Sequence, residues 1–224
     1  MKSFSRSFEK FFVFVLNFHF RFLCIYFRFF RWFPTSGSAL FNMAAAVIHS
    51  CGNSAVEIVY KSCKPDSNKL CMKRDKSDVK CKEPYITLTN GFTARGITTT
   101  IKAIARISEC NLLGQDILQE AEVDQWMEYC LTKINPCCED KTEIKDIIKL
   151  LNSFLVDRAF FVGNSLTTAD LLIFSTLFDV YNTLTIQEKE RYIHVSRWFQ
   201  EVQNICCTTD KSRTKVVFLR NLLY

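Results

Sequence analysis

Residues 163–178, GNSLTTADLLIFSTLF, carry the clearest structural signal in this chain. Thr167 and Asp170 stand three residues apart, the spacing of a helix capping box, in which each side chain binds the backbone amide of the other residue. The residues that follow are almost all apolar as far as Asp179, which predicts a helix over residues 168–180 that is buried on every side. Other helices must pack around such a helix. Replacing Asp170 with alanine is predicted to destabilise the fold by about 1 kcal/mol or somewhat more through loss of the box.

Apolar residues recur at helical spacing on both sides of this stretch. The three patterns are Val123, Trp126, Met127, Cys130, Leu131 and Ile134; Ile144, Ile147, Ile148, Leu151 and Leu155; and Val195, Trp198, Phe199 and Val202. The first pattern is expected to end at Asn135-Pro136, because proline stops a helix. Thr185 and Glu188 repeat the capping-box spacing, and the C-terminal VVFLRNLLY is expected to form a final helix. These features predict an all-helical domain over residues 115–224.

Residues 43–110 are predicted to form a smaller unit that contains strands. Tyr85–Leu88 has a strand-like composition, Asn90-Gly91 is a strong hairpin turn, and residues 92–94 can return as a second strand. A helix is expected after Gly96, with Thr98 as its cap. Residues 55–60, AVEIVY, fit either a short strand or a helical turn, and their β-branched content favours the strand. Residues 61–82 are mostly polar and are expected to form a loop.

The first 42 residues differ in composition from the rest of the chain. They are rich in phenylalanine and hold six basic residues against one acidic residue, a balance of +5 out of the chain's net +6. Arg21 and Arg28 interrupt the apolar run well short of the ~20 residues that a membrane-spanning helix needs. The basic start fits a signal peptide or an interfacial anchor, but Met43, followed by three alanines, fits a true start better. Residues 1–42 are therefore interpreted as a leader of doubtful status, and no membrane association is expected.

Eleven cysteines raise the question of disulfides or a metal site. Their spacing lacks the CxxC pairs of zinc sites, Cys137-Cys138 and Cys206-Cys207 are adjacent doublets, and no histidine cluster accompanies them. The odd count and the absence of an Asn-x-Ser/Thr glycosylation sequence indicate free thiols in a reducing compartment. No metal is expected to bind.

The hairpin and helix, the helical second half and the T-x-x-D box that opens a buried helix resemble the glutathione S-transferase fold. This resemblance implies an α+β, mostly α, architecture with a reduced thioredoxin-like part over residues 43–110 and a helical domain over residues 115–224. Four segments resemble more narrowly the elongation factor 1 epsilon-1 family, also called the aminoacyl-tRNA synthetase complex-interacting multifunctional protein 3 family. They are EVDQWMEYCLTKI, IKDIIKLLNSFLVDRAFFVGNSLTTADLLIF, LTIQEKERYIHVSRWFQEVQ and VVFLRNLLY.

The epsilon-1 resemblance implies a non-catalytic scaffold of the multi-aminoacyl-tRNA synthetase complex, located in the cytoplasm and also in the nucleus. The implied partners are transferase-like domains of methionyl-tRNA synthetase, of glutamyl-prolyl-tRNA synthetase and of other subunits of that complex. One pairing would use the side of the hairpin and its helix, with Arg95, Ile101 and Arg106 as interface residues. The other would use the VSRWF helix, with Arg197 and Trp198, because the planar arginine side chain can stack and can bind a carboxylate through two hydrogen bonds.

The alternative function is that of an active glutathione S-transferase. Activation of glutathione needs a hydroxyl or thiol near the N-terminal strand, for which Cys51, Tyr60 and Cys63 are candidates by their position. Among residues 95–98, where the helix after the hairpin begins, only Thr98 offers a hydroxyl, and it has no acidic partner. Pro84 matches the cis-proline that precedes the hairpin strand in that fold. One matching element does not make a site. No catalytic or cofactor-binding residues are assigned, and the chain is not expected to be an enzyme.

Direct binding of nucleic acid is also not expected. Basic clusters such as Lys73-Arg74 and Lys80 with Lys82 are interleaved with acidic residues and lack an aromatic stacking platform. Residues 43–224 carry a net charge of only +1, which gives little attraction for a phosphate backbone. Any contact with tRNA is expected to pass through partner synthetases.

Overall fold

A computed structural model describes residues 46–66, 68–73, 83–209 and 215–218, which belong to one compact unit. Four strands and two helices form a small N-terminal part, and the remaining helices follow. The strands are β1 Ala46–His49, β2 Leu70–Lys73, β3 Tyr85–Leu88 and β4 Thr93–Arg95. The helices are α1 Ser54–Cys63, α2 Ile97–Ile107, α3 Ile117–Tyr129, α4 Lys141–Phe154, α5 Thr168–Thr183, α6 Ile186–Arg191 and α7 Ile193–Thr209.

The strands form one sheet in the order β2-β1-β3-β4. β1 pairs in parallel with β2 across helix α1, and it pairs antiparallel with β3, which forms a hairpin with β4. Ala46 and Ile48 of the central strand β1 are buried. A βαβ unit followed by a hairpin and a helix confirms the predicted thioredoxin-like part.

The N-terminal part corrects three expectations. AVEIVY lies in helix α1 and not in a strand, because Asn53 caps that helix through a hydrogen bond from the Val56 amide (3.2 Å). Strand β1 was not predicted, and β2 lies inside the predicted loop of residues 61–82. Both strands exist because they pair with each other across α1, a long-range contact that four residues of sequence do not reveal.

The predicted hairpin is confirmed with a small shift. Gly91 takes a left-handed conformation (φ 82°), and the Asn90 side chain accepts a hydrogen bond from the Phe92 amide (2.9 Å). Strand β4 begins one residue later than predicted. Helix α2 follows Gly96 as expected, but no side chain caps it, so the capping role predicted for Thr98 is wrong.

The helical path does not stop at Asn135-Pro136 as predicted. After α3 it continues as a π-helical turn, Cys130–Ile134, and a short helical turn, Asn135–Cys137. The Asn135 amide bonds to the Cys130 carbonyl, five residues back. This wider turn accommodates Pro136, whose ring would clash with a carbonyl in a regular α-helix.

Helix α5 is the buried helix that the sequence predicts, and it runs three residues further, to Thr183. Its first two turns are buried all round, and Asp179 is the first exposed residue. The ring of Phe199 on α7 packs between the rings of Phe174 and Tyr181, with centroid distances of 4.6 and 4.4 Å.

Apolar side chains of the N-terminal part and of the helical part form one continuous core. Helices α1 and α2 both contact α5, and α1 also contacts α7. The small sheet unit is therefore joined to the helices by apolar packing and not only by the connecting segment around residue 114.

The C-terminal segment also differs from the expectation. Residues 216–218 of VVFLRNLLY are not helical, and the Gln203 side chain on α7 binds both main-chain groups of Val216. Residues 219–224 and the predicted leader of residues 1–42 lie outside the described residues. Among the residues that the structure describes, no helix is long and apolar enough to cross a membrane.

Candidate functional site

Asp170 is a fully buried carboxylate at the start of α5, where it forms the predicted capping box with Thr167. Its Oδ2 atom accepts hydrogen bonds from the Thr167 amide (2.9 Å) and hydroxyl (2.7 Å). Its Oδ1 atom accepts from the Phe161 amide (3.0 Å) and from the indole Nε1 of Trp198 (2.9 Å). Burial raises the pKa of Asp170, and the four hydrogen bonds oppose that rise by favouring the charged form. Asp170 thus joins α5 to α7 as well as capping α5.

The first predicted interface falls where ion pairs join α2 to α3. Arg106 pairs with Glu120, and Lys102 Nζ lies 2.7 Å from Asp124 Oδ2. Two adjacent apolar side chains at the start of α3, Ile117 and Leu118, are 85% and 76% exposed. The "α2–α3 face" comprises Lys102, Arg106, Ile117, Leu118, Glu120 and Asp124.

Arg95 and Ile101 were assigned to the same interface, and the structure separates them. Arg95 is exposed on β4, with its guanidinium 5.6 Å from the centre of the Tyr85 ring. Ile101 is fully buried in the core. The prediction that Ile101 contacts a partner is therefore wrong, because the inner side of the amphipathic helix α2 carries it. Arg95 and Arg106 remain predicted interface residues.

The second predicted interface lies on α7, where Trp198 and Arg197 have opposite environments. Trp198 is 1% exposed and bonded to Asp170, so its assignment as an interface residue is corrected to a core residue. Arg197 is half-buried, and its Nη2 atom donates to the carbonyls of Leu155 and Arg158, each at 2.9 Å. These carbonyls lie just after the end of α4, where a positive charge is favourable.

The surface around Arg197 also holds exposed apolar side chains. Val156 follows Leu155 and is 45% exposed, and Ile193 lies one helical turn before Arg197 and is 39% exposed. The "α7 face" comprises Val156, Arg158, Ile193 and Arg197. Arg197 is therefore at once a structural link to α4 and a partly exposed charge.

Sequence reasoning missed the role of Asn152. Its Oδ1 atom accepts hydrogen bonds from the amides of His194 and Val195 (3.0 and 3.2 Å), so that a side chain of α4 caps the start of α7. No local pattern reveals this cap, because Asn152 stands 42 residues before the first amide that it binds.

A cleft of about 640 Å³ lies beside the contact between the start of α1 and α5. Its lining includes Asn53 and Ser54 at the start of α1, and Ser175 and Thr176 on α5. The hydroxyls of Ser54 and Ser175 are hydrogen-bonded at 2.6 Å. Ser54, which follows β1 closely in the sequence, thus has its hydroxyl paired with a side chain of α5. The sequence analysis had not proposed Ser54 as a candidate for activating glutathione.

The groups proposed for transferase chemistry lie elsewhere. The Tyr60 hydroxyl donates to the Leu70 carbonyl (3.2 Å), and burial raises the pKa of Tyr60 and of the Cys63 thiol. Cys51 lies in the turn after β1 with a φ of 47°, and Thr98 lies in the first turn of α2. The described lining of the cleft contains none of these four residues. No cis peptide bond occurs among the described residues, so the match of Pro84 to a cis-proline is wrong.

The described cysteines form no disulfide, and none of the described residues forms a group of histidine, cysteine and carboxylate side chains that could hold a metal. Burial raises the pKa of Cys130 to about 12, which keeps this thiol protonated near neutral pH.

Comparison with known proteins identifies the family. Human eukaryotic translation elongation factor 1 epsilon-1 is 34% identical over 142 residues, which cover 63% of this chain and 80% of the human protein. The chain belongs to the eukaryotic translation elongation factor 1 epsilon-1 family. The mouse member of the epsilon-1 family is 32% identical over the same shares of both chains. The family model described as the nuclear-export cofactor Arc1p matches residues 119–206.

Other relatives of this epsilon-1 family member extend the likeness. The bifunctional glutamate/proline–tRNA ligase of Cricetulus griseus is 28% identical over 120 residues, which are 53% of this chain but 8% of the ligase. A theta-class glutathione S-transferase of Xanthomonas axonopodis superposes with a TM-score of 0.60 at 12% identity, over 77% of this chain and all of that one. A Bombyx mori glutathione transferase gives 0.59 at 16% identity, over 75% and 92%. These structures confirm the predicted transferase-like fold.

Proposed function

We propose that this chain is a non-catalytic adaptor that pairs with transferase-like domains of aminoacyl-tRNA synthetases in support of translation. Membership of the epsilon-1 family, with 80% of the human relative covered, carries this proposal. The likeness to the glutamate/proline–tRNA ligase supports it, because the match takes 53% of this chain and only 8% of the ligase. The matched part of the ligase is one small segment that resembles this chain, and we propose that this segment pairs with the chain as two similar domains do.

The proposed partners are the glutamyl-prolyl-tRNA synthetase, the methionyl-tRNA synthetase and other transferase-like subunits of the synthetase complex. The proposed location is the cytoplasm, and also the nucleus. Each partner would be held by one of the two surfaces defined above, the α2–α3 face and the α7 face. Both surfaces combine exposed aliphatic side chains with arginine, a composition that is common in protein interfaces.

The contacts of the polar groups support a non-enzymatic role. In the cleft, the Ser54 hydroxyl is hydrogen-bonded to Ser175, which leaves it poorly placed to stabilise a thiolate. Tyr60 is held by a strand carbonyl, and the buried Cys63 has a raised pKa, opposite to the lowered pKa of an activated thiol. The chain offers instead a rigid scaffold with two separate exposed faces.

The test uses the tagged full chain in a cytosolic extract, with bound proteins identified by mass spectrometry. Arg106→Glu and Leu118→Asp change the α2–α3 face. Arg197→Glu and Val156→Asp change the α7 face, and Val156→Asp leaves the two hydrogen bonds of Arg197 intact. Each pair of variants is expected to lose one synthetase and to retain the other. Arg191→Glu, on an exposed position of α6, serves as the matched control and is expected to bind both.

Two further measurements accompany the capture experiment: binding to glutathione resin tests for transferase-like ligand binding, and circular dichroism tests whether each variant is folded. The wild-type chain is expected to stay off the resin, and every variant should keep its helical spectrum. An adaptor role is refuted by a wild-type chain that captures no synthetase, and the assignment of faces is refuted by variants that all capture the same set. Binding to the resin with no synthetase captured favours the transferase alternative.

A further inference from the structure

The C-terminal segment of residues 215–218 is held in a groove between α6 and α7 by contacts with its main chain. The Gln203 side chain donates to the Val216 carbonyl (3.1 Å) and accepts from the Val216 amide (2.8 Å). Gln203 is 4% exposed, so these bonds form away from water. One side-chain amide thus satisfies both main-chain groups of one residue, as the edge of a neighbouring strand does.

Two further contacts fix the direction of the segment. Lys189 Nζ donates to the Val217 carbonyl (3.4 Å) and lies 5.7 Å from the centre of the Phe218 ring. Phe218 also packs near Phe199, with ring centroids 6.2 Å apart. Lys189 is 8% exposed, and both of these contacts place its amine against the segment. This burial also lowers the pKa of Lys189.

The side chains of the segment divide into inward and outward positions. Val216 is 4% exposed, whereas Val217 is 70% exposed. The hydrogen bonds of the groove contact the main chain and do not depend on the side chains of the segment. Selectivity comes from two side chains separated by one residue, the buried Val216 and the ring of Phe218. This combination is typical of sites that bind an extended peptide.

We propose that this groove, formed by Lys189, Phe199 and Gln203, is a receptor for an extended Val-x-Phe segment. The chain fills it with its own residues 215–218, and the same segment of a second copy enters it when the internal contact opens. Five residues, 210–214, separate α7 from the segment and span at most about 20 Å when extended, so an exchanged pair must pack closely. The two copies then make in trans the contacts that one copy makes in cis.

The first test uses the full chain and a fluorescent peptide of residues 215–224, KVVFLRNLLY. Val216→Asp should expel the internal segment and leave the groove open, so its affinity for the peptide should exceed that of the wild type by at least about tenfold, since the open fraction sets the apparent affinity. Val217→Asp, a matched change at the neighbouring exposed position, should behave as the wild type. A peptide with aspartate in place of the first valine should not bind.

The second test asks whether a second copy supplies the segment. The Val216→Asp chain has an intact groove and a defective segment, and a Gln203→Ala chain has the reverse. Sedimentation velocity of the mixture should show a 1:1 dimer, while each variant alone stays monomeric. The proposal is overturned if a folded Val216→Asp chain does not bind the peptide. It is equally overturned if that chain loses its helical spectrum, because residues 215–218 would then be part of the core and not a ligand. Peptide binding without a mixed dimer refutes the second copy as occupant.

Discussion

The chain contains two threonine capping boxes with the same local pattern and different surroundings. In one, Thr167 and Asp170 open α5, and the carboxylate is fully buried and also bonded to Phe161 and Trp198. In the other, Thr185 and Glu188 open α6, and the carboxylate stays partly exposed and pairs with Lys145 on α4 (2.8 Å). Both boxes add a long-range partner to a local motif, but only the first does so away from water.

This difference in burial should decide how much each box contributes to stability. A buried donor that loses its acceptor pays the full cost of desolvation, whereas an exposed donor regains a hydrogen bond from water. The two boxes therefore offer one local motif in two environments, and substitutions at each can measure the contribution of the environment.

The largest expected effect is that of Asp170→Ala. It leaves the Thr167 and Phe161 amides and the Trp198 indole without their acceptor in the core. We expect the free energy of unfolding to fall by about 3–5 kcal/mol, measured by urea denaturation. Asp179→Ala, at an exposed position of the same helix, is the control and should change stability little. A loss of only about 1 kcal/mol at Asp170 would mean that the buried box acts as a local cap alone.

Trp198→Phe should give an intermediate effect. Phenylalanine fills most of the volume and removes the indole N–H that bonds to Asp170, so we expect a loss of about 2 kcal/mol. The double variant with Asp170→Ala should cost less than the sum of the two single changes, because both remove the same hydrogen bond. Strict additivity in urea denaturation would show that the two side chains act independently.

The smallest effect is expected at the exposed box. Hydrogen bonds from Lys145 and Thr185 lower the pKa of Glu188 to about 2, below its ordinary value of 4.5. A lowered pKa in the folded state stabilises the protein above the ordinary pKa, and this contribution is lost as the pH falls from about 4.5 towards 2. Glu188→Gln should therefore lower the melting temperature slightly at pH 7 and not at all near pH 2. An equal decrease at both pH values would exclude the charge as the cause.

The fold was predictable to the extent that its elements depend on local pattern. The hairpin, the helices from α2 to α7 and both capping boxes follow from spacing and turn chemistry, and the family resemblance supplied the architecture. AVEIVY was assigned to a strand because a run of six residues rich in β-branched side chains is too short to distinguish the two structures. The Asn53 cap that decides for a helix lies outside this run. Strands β1 and β2 depend on pairing over a distance in the chain, which sequence alone does not show.

The candidate sites were less predictable, because they depend on which side of a helix faces the core. Ile101 and Trp198 are adjacent in sequence to plausible surface residues but are buried, whereas Arg106 and Arg197 are accessible and also bound within the chain. The partners of Asp170 on other elements, Phe161 and Trp198, raise its expected contribution above that of a simple cap.

The continuous core has a consequence for dissection of the chain. The connecting segment around residue 114 looks like a place to cut, but a cut there would expose the apolar sides of α1 and α5 together. Each fragment would therefore carry apolar surface that the other part covers in the intact chain. The two parts should melt in a single cooperative transition. For fragment libraries and split-reporter fusions, the unit of residues 43–224 should therefore be kept whole, with insertions placed in its peripheral turns.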